Sequence, residues 1–482
     1  MTGLPQPAQA PALLDGAADR SFYVKTFGCQ MNVHDSERLA GVLVAAGMRP
    51  SPDLESADVV VLNTCCIREN ADNRFYGHLG NLKTLRERRP NLQIAVGGCL
   101  AQMEGERLLE RAPHVDVVFG THNLARAPEL LARAAASGPV VEVTEAPERS
   151  DPWSAEQQQV AFGAVRDLPY AAWVTIQTGC DNSCAFCIVP SVRGAEVSRP
   201  TDDLLAEVEA LAGRGVTEVT LLGQNVNSYG RDLTRRRPLF ADLLRSVGAV
   251  EGIRRVRFTS PHPKDLRPET IGAMAETDTV CNHLHLPLQS GSDRVLASMR
   301  RGYTADRYLR RLADARAAIP DLAVTTDVIV GFPGEDDDDF ERTLEVVAEA
   351  GYDSAYTFIF SPRPGTRAAA MTDRFVPAEV VADRFERLVS VVERSAVLRH
   401  RARVGRIEEV VVEGPSKRDP TLSSGRTTQN KLVHFGDRGR PVATGSFARV
   451  TVTASGSHHL LGEMVEVTAR PAHRVRIPVA AG

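Results

Sequence analysis

The chain has 482 residues, more than one hydrophobic core usually holds, and we expect about three domains. Hydrophobic residues make up 43% and charged residues 24%, as in globular proteins, and no run of about 18 apolar residues is present to cross a membrane. The formal net charge of −4 gives no general sign of nucleic-acid binding. The sequence also lacks a P-loop, a G-x-G-x-x-G fingerprint and an H-E-x-x-H motif, so nucleotide hydrolysis, Rossmann redox chemistry and zinc proteolysis have no support.

Residues 1–20 are rich in Pro and Ala and have neither the basic start nor the apolar core of a signal peptide. We therefore predict a disordered tail there and a cytoplasmic protein. In residues 21–150, short apolar runs alternate with stretches of helical spacing, which is typical of a parallel α/β sheet. The predicted elements of this N-terminal domain are strands at Phe22–Phe27, Asp58–Leu62, Leu92–Val96 and Val115–Phe119 and a helix at Asp35–Gly47.

Three cysteines follow strands of this predicted sheet. Cys29 lies in KTFGCQMN, Cys65 in VVVLNTCCIREN and Cys99 in IAVGGCL. Because ligands of open α/β sheets gather at the carboxyl ends of the strands, these thiols are candidates to converge at one edge. Spacings of 36 and 34 residues are too long to form a motif by themselves, so three unrelated buried thiols remain the alternative.

Residues 146–159, rich in Pro, Ser, Glu and Gln, form a predicted linker to a second domain, residues 160–400. Six strand candidates separated by helical stretches predict a partial (β/α)6 barrel, whose active site would lie at the carboxyl ends of the strands. Thr201 is the predicted N-cap of the amphipathic stretch Asp202–Arg214, and Gly215 is its predicted stop. The strand candidates are Trp173–Gln177, Val219–Gly223, Arg255–Thr259, His283–Pro287, Ala323–Val330 and Tyr356–Phe360.

Residues 402–474 are rich in β-forming and turn residues and predict a small β-barrel. From Ala402 to Arg476 there are 12 Lys/Arg and 7 Asp/Glu, a local net charge of +5 against about −9 for the rest of the chain. This imbalance favours a polyanionic partner, although an ordinary solvated surface accounts for it equally well. The predicted strands are Ile407–Val412, Lys431–Phe435, Ala448–Thr453 and Met464–Thr468. The candidate phosphate contacts are Arg426, Lys431, Arg438, Arg440 and Arg449.

The strongest motif is TGCDNSCAFCIVPSVRG, in which Cys180, Cys184 and Cys187 have the spacing C-x3-C-x2-C. Such close spacing allows one loop to bind three irons of a cubane cluster, and three thiolates leave the fourth iron open to a substrate. A structural zinc site needs a fourth ligand, and no His or further Cys lies nearby in the sequence. The motif therefore predicts an iron–sulfur cluster just after the first strand candidate of the barrel.

This loop resembles that of the radical S-adenosylmethionine superfamily. The resemblance implies that the open iron chelates the amino and carboxylate groups of S-adenosylmethionine, and that an electron from the cluster cleaves the sulfonium to give a 5′-deoxyadenosyl radical. Phe186 matches the aromatic position beside the adenine, with a simple core aromatic as the alternative. Gln224, Asn225, Gln289 and Gly331 (in GFPGE) would border the same pocket, with strand caps and a tight turn as alternatives.

Two further pairs of polar residues have less specific interpretations. Arg193 and Arg199 are candidates to bind a carboxylate or a phosphate. His283 and His285 alternate along one strand candidate and therefore share a face. Buried, hydrogen-bonded histidines are a better interpretation of this pair than metal ligands.

Additional motifs narrow the resemblance to the methylthiotransferase family. They are KTFGCQMN, NTCCIRENA, GGCLAQ, RGAEVSRP, LLGQNVNSYG, HLHLPLQSGSDRVL, TDVIVGFPGE and FIFSPRPGT, and they span residues 22–370. The module after Val404 resembles the RNA-binding TRAM domain of that family. The resemblance implies that Cys29, Cys65 and Cys99 bind an auxiliary 4Fe–4S cluster. Cys66 and Cys281 match no ligand position and are interpreted as structural thiols.

NTCCIREN and LLGQNVNSYG resemble the branch of the family that acts on tRNA. The resemblance implies methylthiolation of carbon 2 of dimethylallyl (isopentenyl) adenosine 3′ of the anticodon, with sulfur delivered through the auxiliary cluster. It implies two 4Fe–4S clusters, S-adenosylmethionine, a flavodoxin-type electron donor and a monomer. Two alternatives stay open: a sister methylthiotransferase acting on another tRNA adenosine or on a ribosomal protein, and a non-catalytic iron–sulfur RNA-binding sensor.

Overall fold

The computed structural model describes residues 20–66, 69–144, 164–166, 168–234, 236–436, 439 and 441–471. The predicted tail (residues 1–20, except Arg20), the predicted linker (residues 146–159), Arg438 and Arg440 lie outside this part. The chain divides into two compact units. The first comprises Met1–Asp167, Thr178–Asn182 and Cys187–Val197, and the second comprises Leu168–Gln177, Ser183–Phe186 and Ser198–Gly482. The domain limits predicted from the sequence stay predictions.

The first unit contains a six-stranded sheet in which all neighbouring strands are parallel. Its strands are β1 (Ser21–Thr26), β2 (Arg49–Pro50), β3 (Val59–Thr64), β4 (Gln93–Gly98), β5 (Val117–Phe119) and β6 (Val140–Glu142), in the order β2-β1-β3-β4-β5-β6. Every residue of β3 and β4 is buried, as expected for central strands covered on both faces. The parallel α/β prediction is thus confirmed.

Helices pack on both faces of this sheet. They are α1 (Gln30–Ala45), α2 (Glu69–Arg88), α3 (Cys99–Glu104), α4 (Glu106–Arg111), α5 (Ala127–Ser137) and α6 (Val189–Arg193). Helix α1 begins five residues earlier than predicted, directly after Cys29, and α3 begins with Cys99 itself. Two of the three candidate cysteines of this unit therefore stand where a strand gives way to a helix.

The second unit contains six parallel barrel strands arranged in two three-stranded sheets, which confirms the partial (β/α)6 barrel. The strands are β7 (Ala171–Thr175), β10 (Glu218–Leu222), β11 (Arg255–Phe258), β12 (His283–His285), β13 (Ala323–Val330) and β14 (Ser354–Ile359). Two short strands, β8 (Gln177–Thr178) and β9 (Val197–Ser198), form a sheet of their own. Large apolar side chains from strands and helices form one continuous core around the barrel.

The barrel helices are α7 (Thr201–Gly213), α8 (Phe240–Gly248), α9 (Pro268–Glu276), α10 (Asp293–Ser298), α11 (Ala305–Ala318), α12 (Asp337–Ala350) and α13 (Ala378–Arg401). The prediction that Thr201 is the N-cap of α7 is wrong. Pro200 occupies that position, and the Thr201 hydroxyl lies 3.1 Å from the Tyr229 hydroxyl instead of capping the helix. Gly215 follows the end of α7 in a left-handed conformation (φ +89°), as its role as a stop requires.

The C-terminal strands close into a five-stranded barrel, which confirms the prediction of a small β-barrel. Its strands are β15 (Ile407–Pro415), β16 (Ser423–Thr427), β17 (Leu432–Gly436), β18 (Phe447–Ser455) and β19 (Leu460–Ala469), in the order β15-β16-β17-β19-β18. Strand β16 was not predicted. Alternate apolar side chains of the other strands, such as Val410, Val412 and Phe435, fill the interior. In the described ranges, no helix is long and apolar enough to cross a membrane.

Candidate active site

Cys29, Cys65 and Cys99 lie at one edge of the first unit's sheet. They follow β1, β3 and β4, which are adjacent and parallel, so their carboxyl ends meet at that edge. The side chains of Cys29 and Cys65 are hydrogen-bonded to each other, and Cys99 is hydrogen-bonded to Cys66. The structure therefore supports convergence of these thiols rather than three unrelated positions in the core.

A glycine makes the approach of the first two cysteines possible. Gly28 has φ +132°, and a Cβ atom on it would lie 2.4 Å from Cβ of Cys65. Any side chain at residue 28 would therefore push the KTFGCQMN and NTCC segments apart.

Buried polar side chains of the same motifs hold the cysteine-bearing segments together. The Asn32 side chain accepts hydrogen bonds from the backbone N–H and the thiol of Cys29 (3.4 and 3.3 Å) and donates to the carbonyl of Thr64 (3.0 Å). The side chain of Asn63 donates to the carbonyl of Asn32 (2.8 Å), and the Thr64 hydroxyl donates to the carbonyl of Gly97 (2.7 Å). These bonds connect the segments before Cys65 and Cys99 to the start of α1.

A buried cation faces this group of thiols. The guanidinium of Arg193, at the end of α6, donates to Asp35 of α1 at 2.7 Å, and both residues are buried. Burial acts to lower the pKa of Arg193, but Asp35, Cys99 and Cys29 outweigh it and raise that pKa well above its ordinary value. The sequence left open whether Arg193 binds a carboxylate or a phosphate, and in the structure it binds the carboxylate of Asp35.

The thiols of Cys29 and Cys99 have lowered pKa values. The hydrogen bond from Cys65 lowers the pKa of Cys29 to about 6, against the effect of burial and with help from Arg193. The hydrogen bond from Cys66 lowers the pKa of Cys99 to about 7, again with help from Arg193. Thiolate is the form that binds iron, so this electrostatic environment suits cluster ligands. Among the described residues, no three His, Cys, Asp or Glu side chains lie close enough together to bind one metal ion. In a cubane cluster, each thiolate binds a different iron.

The loop with the C-x3-C-x2-C motif contributes to both compact units. Cys180 and Cys187 belong to the first unit, where the N–H of Cys180 donates to the carbonyl of Gly194 at 3.1 Å. The preceding Gly179 has φ +73°, and a Cβ atom there would lie 1.9 Å from the carbonyl oxygen of Ala195. The start of the motif thus requires glycine both for its backbone conformation and for this contact.

Cys184 belongs to the second unit and accepts a hydrogen bond from the side chain of Arg301. The Nη1 atom of Arg301 lies 3.3 Å from Sγ of Cys184. Backbone hydrogen bonds fix the next residue, because Ala185 donates to Met299 and accepts from Ala368 (2.9 Å each). Arg301 lies 117 residues from Cys184 in the sequence, and no local pattern indicated this contact.

Buried polar atoms without partners follow several barrel strands. In the described structure, the following atoms are buried and accept or donate no hydrogen bond: Oε1 of Gln177, both amide atoms of Gln224, Oδ1 of Asn225, Nε2 of His262 and Oε1 of Gln289. Gln177 follows β7, Gln224 and Asn225 follow β10, and Gln289 follows β12. Because leaving a buried polar group unpaired costs about 1–3 kcal/mol, such a set indicates a place for a polar ligand.

His262, which follows β11, was not predicted as a site residue. Burial lowers its pKa to about 2, so the imidazole is neutral, and its Nδ1 accepts a hydrogen bond from the backbone N–H of Lys264. Gln289 adopts a left-handed conformation (φ +69°) and exchanges backbone hydrogen bonds with β13, accepting from Ile329 and donating to Asp327. A non-glycine residue in this region is uncommon and is often found at binding sites.

Phe186 and the GFPGE segment also belong to the second unit. Phe186 is half-buried and packs against a small apolar cluster that includes Phe332, Met299 and Ala368. The N–H of Gly331 donates to the carboxylate of Glu335 (2.8 Å), which also pairs with Arg384 (3.0 Å). The segment is thus a tight turn closed by a buried carboxylate, with Gly331 at the end of β13.

These residues fit the groups implied by the resemblance. The C-x3-C-x2-C motif offers three thiols, and Arg301 donates to that of Cys184 in the second unit. The strand ends of the second unit offer unpaired amide and imidazole atoms for the polar parts of S-adenosylmethionine. The thiols at the sheet edge of the first unit have a buried cation beside them. A cation near each set of thiols suits an anionic cluster.

Other predicted residues have structural roles. Arg199 is buried and pairs with Glu207 of α7 (2.6 Å), so the carboxylate that it binds belongs to the chain itself. His283 Nε2 and His285 Nδ1 lie 3.1 and 3.0 Å from the hydroxyl of Thr325, so both histidines are hydrogen-bonded as predicted, but both are half-buried rather than buried. Burial lowers the pKa of His283 to about 3.

The candidate phosphate contacts of the C-terminal barrel differ in exposure. Lys431 was wrongly predicted, because it is buried and its Nζ pairs with Asp353 of the (β/α)6 barrel at 2.7 Å. Arg426 and Arg449 keep 38% and 47% of their side-chain surface exposed, although they pair with Glu413 and Glu466. These two remain available for phosphate contacts, and Arg438 and Arg440 lie outside the described residues.

The sequence matches two family models. Residues 21–120 match the Uncharacterized protein family UPF0004, and residues 174–347 match the Radical SAM superfamily. The chain is 52% identical over 463 residues to a tRNA-2-methylthio-N(6)-dimethylallyladenosine synthase of Acidothermus cellulolyticus, covering 95% of this chain and 90% of the relative. It is 51% identical to the protein of that name from Streptomyces avermitilis (92% and 87% covered) and 49% identical to that from Mycolicibacterium smegmatis (92% and 87% covered).

Among solved structures, the chain resembles the radical S-adenosylmethionine methyltransferase TsrM from Kitasatospora setae, with a TM-score of 0.54 at 13% identity over 73% of this chain and 75% of that one. At this identity the likeness concerns the fold alone. The relatives about half identical over nearly the whole chain decide the family. The chain therefore belongs to the radical S-adenosylmethionine family of tRNA-2-methylthio-N(6)-dimethylallyladenosine synthases.

Proposed function

We propose that this chain adds a methylthio group to carbon 2 of dimethylallyl (isopentenyl) adenosine 3′ of the anticodon in tRNA, with two 4Fe–4S clusters and S-adenosylmethionine as cofactors. The observation that carries the proposal is the presence of two cysteine triplets, each with a buried arginine beside it. One triplet suffices for radical generation, and the second provides a place for sulfur.

Cys180, Cys184 and Cys187 would hold the radical-generating cluster. When bound, this cluster and S-adenosylmethionine supply the radical that removes hydrogen from carbon 2 of the adenosine. The chain itself would position the cofactor: the unpaired amide of Gln224 and the unpaired Oε1 of Gln289 would bind its polar groups. Phe186 would pack beside its adenine, and the turn at Gly331 would border it.

Cys29, Cys65 and Cys99 would hold the auxiliary cluster. When bound, this cluster supplies the sulfur, and a second S-adenosylmethionine supplies the methyl group. Arg193 would balance the negative charge of the thiolates while its bond to Asp35 fixes its position. Cys66 lies close enough to hydrogen-bond Cys99, and we propose that it remains a structural thiol, as does Cys281.

The functional domains would be residues 21–150 for the auxiliary cluster, 160–400 for radical generation and 402–474 for tRNA binding. Phosphate contacts from the C-terminal barrel would make tRNA binding weaken steeply with salt. The protein would work in the cytoplasm as a monomer and receive electrons from a flavodoxin-type protein.

Nucleoside analysis of tRNA from a deletion strain tests the substrate. We expect the methylthio-dimethylallyl nucleoside to disappear and dimethylallyladenosine to accumulate, with recovery on expression of the wild-type chain and none with a Cys180→Ala variant. If the methylthio-prenyl nucleoside persists while another methylthiolated adenosine or a ribosomal protein loses its modification, the sister activity is correct instead.

The sensor alternative is tested on purified protein. After anaerobic reconstitution and reduction in the presence of S-adenosylmethionine, we expect 5′-deoxyadenosine. A protein that holds an intact cluster and yields none would support a non-catalytic RNA-binding sensor.

A further inference from the structure

Arg301 occupies an unusual environment for a charged side chain. Only 6% of its surface is exposed, and it lies on a tight turn after α10 in which its neighbours Arg300 and Gly302 both have positive φ (57° and 72°). From this turn, the side chain reaches Cys184 in the loop after β7. Such a conformation is costly at Arg300, which indicates that the position of Arg301 is strongly determined by its surroundings.

The hydrogen bonds of Arg301 use neutral groups and one thiol. Its Nε donates to the hydroxyl of Tyr303 (3.3 Å), Nη2 to the carbonyl of Pro287 (3.5 Å) and Nη1 to Sγ of Cys184 (3.3 Å). In turn, the Tyr303 hydroxyl donates to the carbonyl of Leu288 at 2.7 Å, so the groups that hold the guanidinium are themselves fixed.

No carboxylate balances this buried charge. In the part of the chain that the structure describes, no Asp or Glu lies within ion-pair distance of Arg301, whereas two other buried arginines, Arg193 and Arg199, each pair with one. The nearby imidazole of His262 is neutral. A buried cation without a carboxylate is costly, so Arg301 requires a negative partner, and the group that it touches is the sulfur through which Cys184 would hold an anionic cluster.

We propose that Arg301 is a positioning residue that raises the reduction potential of the cluster held by the cysteine loop (residues 180–187), by donating an N–H···S hydrogen bond to Cys184 and placing a positive charge beside it. Reduction adds a negative charge to the cluster, and a fixed cation stabilises that more negative state. Hydrogen bonds to the sulfurs and nearby charge are among the factors that set the potentials of such clusters. Arg301 thereby favours transfer of the electron from the reducing partner to the cluster. This inference rests on the proposed function, because it assumes the radical-generating cluster.

The test is a redox titration followed by electron paramagnetic resonance, without S-adenosylmethionine, on full-length protein. A Cys29/Cys65/Cys99→Ala background removes overlap with the auxiliary cluster. In Arg301→Gln we expect a more negative midpoint potential, corresponding to an about tenfold lower ratio of reduced to oxidised cluster at a fixed potential, or about 59 mV for one electron. Arg301→Lys keeps the positive charge but loses the planar guanidinium, so the change in its midpoint potential should be smaller than that of Arg301→Gln.

Arg300→Gln is the matched control, because it removes the same charge from the exposed neighbouring residue. We expect its potential to equal that of the parent. Variants of Arg301 that keep their iron and titrate at the parent's potential would overturn the inference, as would a loss of affinity for S-adenosylmethionine without any shift. Loss of cluster iron from both Arg301 variants would likewise overturn it in favour of a purely structural role.

The parent protein separates this failure from failure of the proposed function. If the parent holds no four-iron cluster, or cleaves no S-adenosylmethionine, the proposed function fails. If it does both while the Arg301 variants retain its potential, only the role of Arg301 fails.

Discussion

Gly179 has the sharpest steric requirement next to a predicted cluster ligand. In Gly179→Ala, the Cβ atom would lie 1.9 Å from the carbonyl oxygen of Ala195, and a left-handed conformation costs an alanine about 1–2 kcal/mol in addition. We expect a lower melting temperature and reduced iron content, measured by thermal denaturation and iron analysis. Gly213→Ala is the control, because no atom lies within 4 Å of its added Cβ. Its iron content should be unchanged, and an equal loss in both variants would contradict this account.

Arg193 and Asp35 form a buried pair whose disruption should have a recognisable pH dependence. Burial alone would raise the pKa of Asp35, but Arg193 and Arg38 outweigh it and hold the pKa below its usual value. The pair therefore stabilises the fold above the unfolded-state pKa of about 3.9, and this contribution is lost as the pH falls through the lower folded-state pKa. In Arg193→Met we expect a loss of about 3 kcal/mol at neutral pH, the low end for a broken buried pair, since Arg38 remains 3.8 Å away.

In this variant we expect the pKa of Asp35 to be raised instead of lowered, because burial then has the larger effect. Its stability deficit should shrink as the pH falls from about 7.5 to about 5, which thermal denaturation of cluster-free protein can measure. Adding Asp35→Asn should restore part of the stability at neutral pH. A deficit that is constant over this range would mean that Asp35 stays ionised without Arg193.

Candidate ligands are easier to predict from the sequence than the residues that support them. Cysteines are rare and their spacing carries chemical meaning, so Cys180, Cys184 and Cys187 could be named as candidates directly. Arg301 and His262 could not, since each is brought to the site by strands and turns far along the chain, and nothing in its local sequence distinguishes it from a surface residue.

At the scale of elements, most of the longer strands, which have apolar alternation or continuous apolar runs, were predicted, often within two residues of their observed limits, but the short strands β2, β6 and β9 were not. Strand β16 was missed because Ser423–Thr427 (SSGRT) has no apolar residue. Its backbone hydrogen bonds to both β15 and β17 stabilise the strand despite this low β-propensity. Its Gly425 allows close packing, since a Cβ there would lie 2.7 Å from the carbonyl oxygen of Val411. Tertiary pairing therefore outweighs propensity at this position.

Two cations of the C-terminal barrel, the exposed Arg449 and the buried Lys431, should respond differently to neutralisation. Arg449 is half exposed on β18, so Arg449→Gln should lower the slope of tRNA affinity against salt by about 1, with stability changed by less than about 0.5 kcal/mol. Lys431→Met leaves Asp353 buried without its partner, so it should cost about 3–5 kcal/mol and leave the salt slope unchanged. Filter binding at several salt concentrations and thermal denaturation would distinguish them, and a changed slope in Lys431→Met would restore it as a phosphate contact.

The attachment of this barrel also explains why charge counts overstated its basic surface. Arg255 and Arg257 of β11 donate to backbone carbonyls of Arg426, Glu409, Thr427 and Thr428, and Arg403 pairs with Glu408 and Asp321. Of the charges counted between Ala402 and Arg476, Arg403 and Lys431 pair with Asp321 and Asp353 of the (β/α)6 barrel, so fewer face an RNA than the local net charge of +5 suggested.

At the scale of the whole molecule, the compact units do not follow the linear order of the sequence. Residues 178–182 and 187–197 belong to the first unit and residues 183–186 to the second, so the eight residues from Cys180 to Cys187 are divided between the units. Linear domain limits cannot express this arrangement. Because each cysteine triplet is predicted to bind its own cluster, we expect mutation of one triplet to leave the metal content of the other unchanged.

Iron and acid-labile sulfide counts would test that separation. We expect about eight irons per chain in the reconstituted wild type, about four in Cys180/Cys184/Cys187→Ala and about four in Cys29/Cys65/Cys99→Ala, because each triplet holds its own cubane. The sextuple variant should hold none, and Cys281→Ala, which removes a buried thiol outside both triplets, should equal the wild type. A first variant without iron would refute the auxiliary site. About four irons in the wild type, lost with either triplet, would mean that the two sets contribute to one cluster, and sulfur delivery would then need another source.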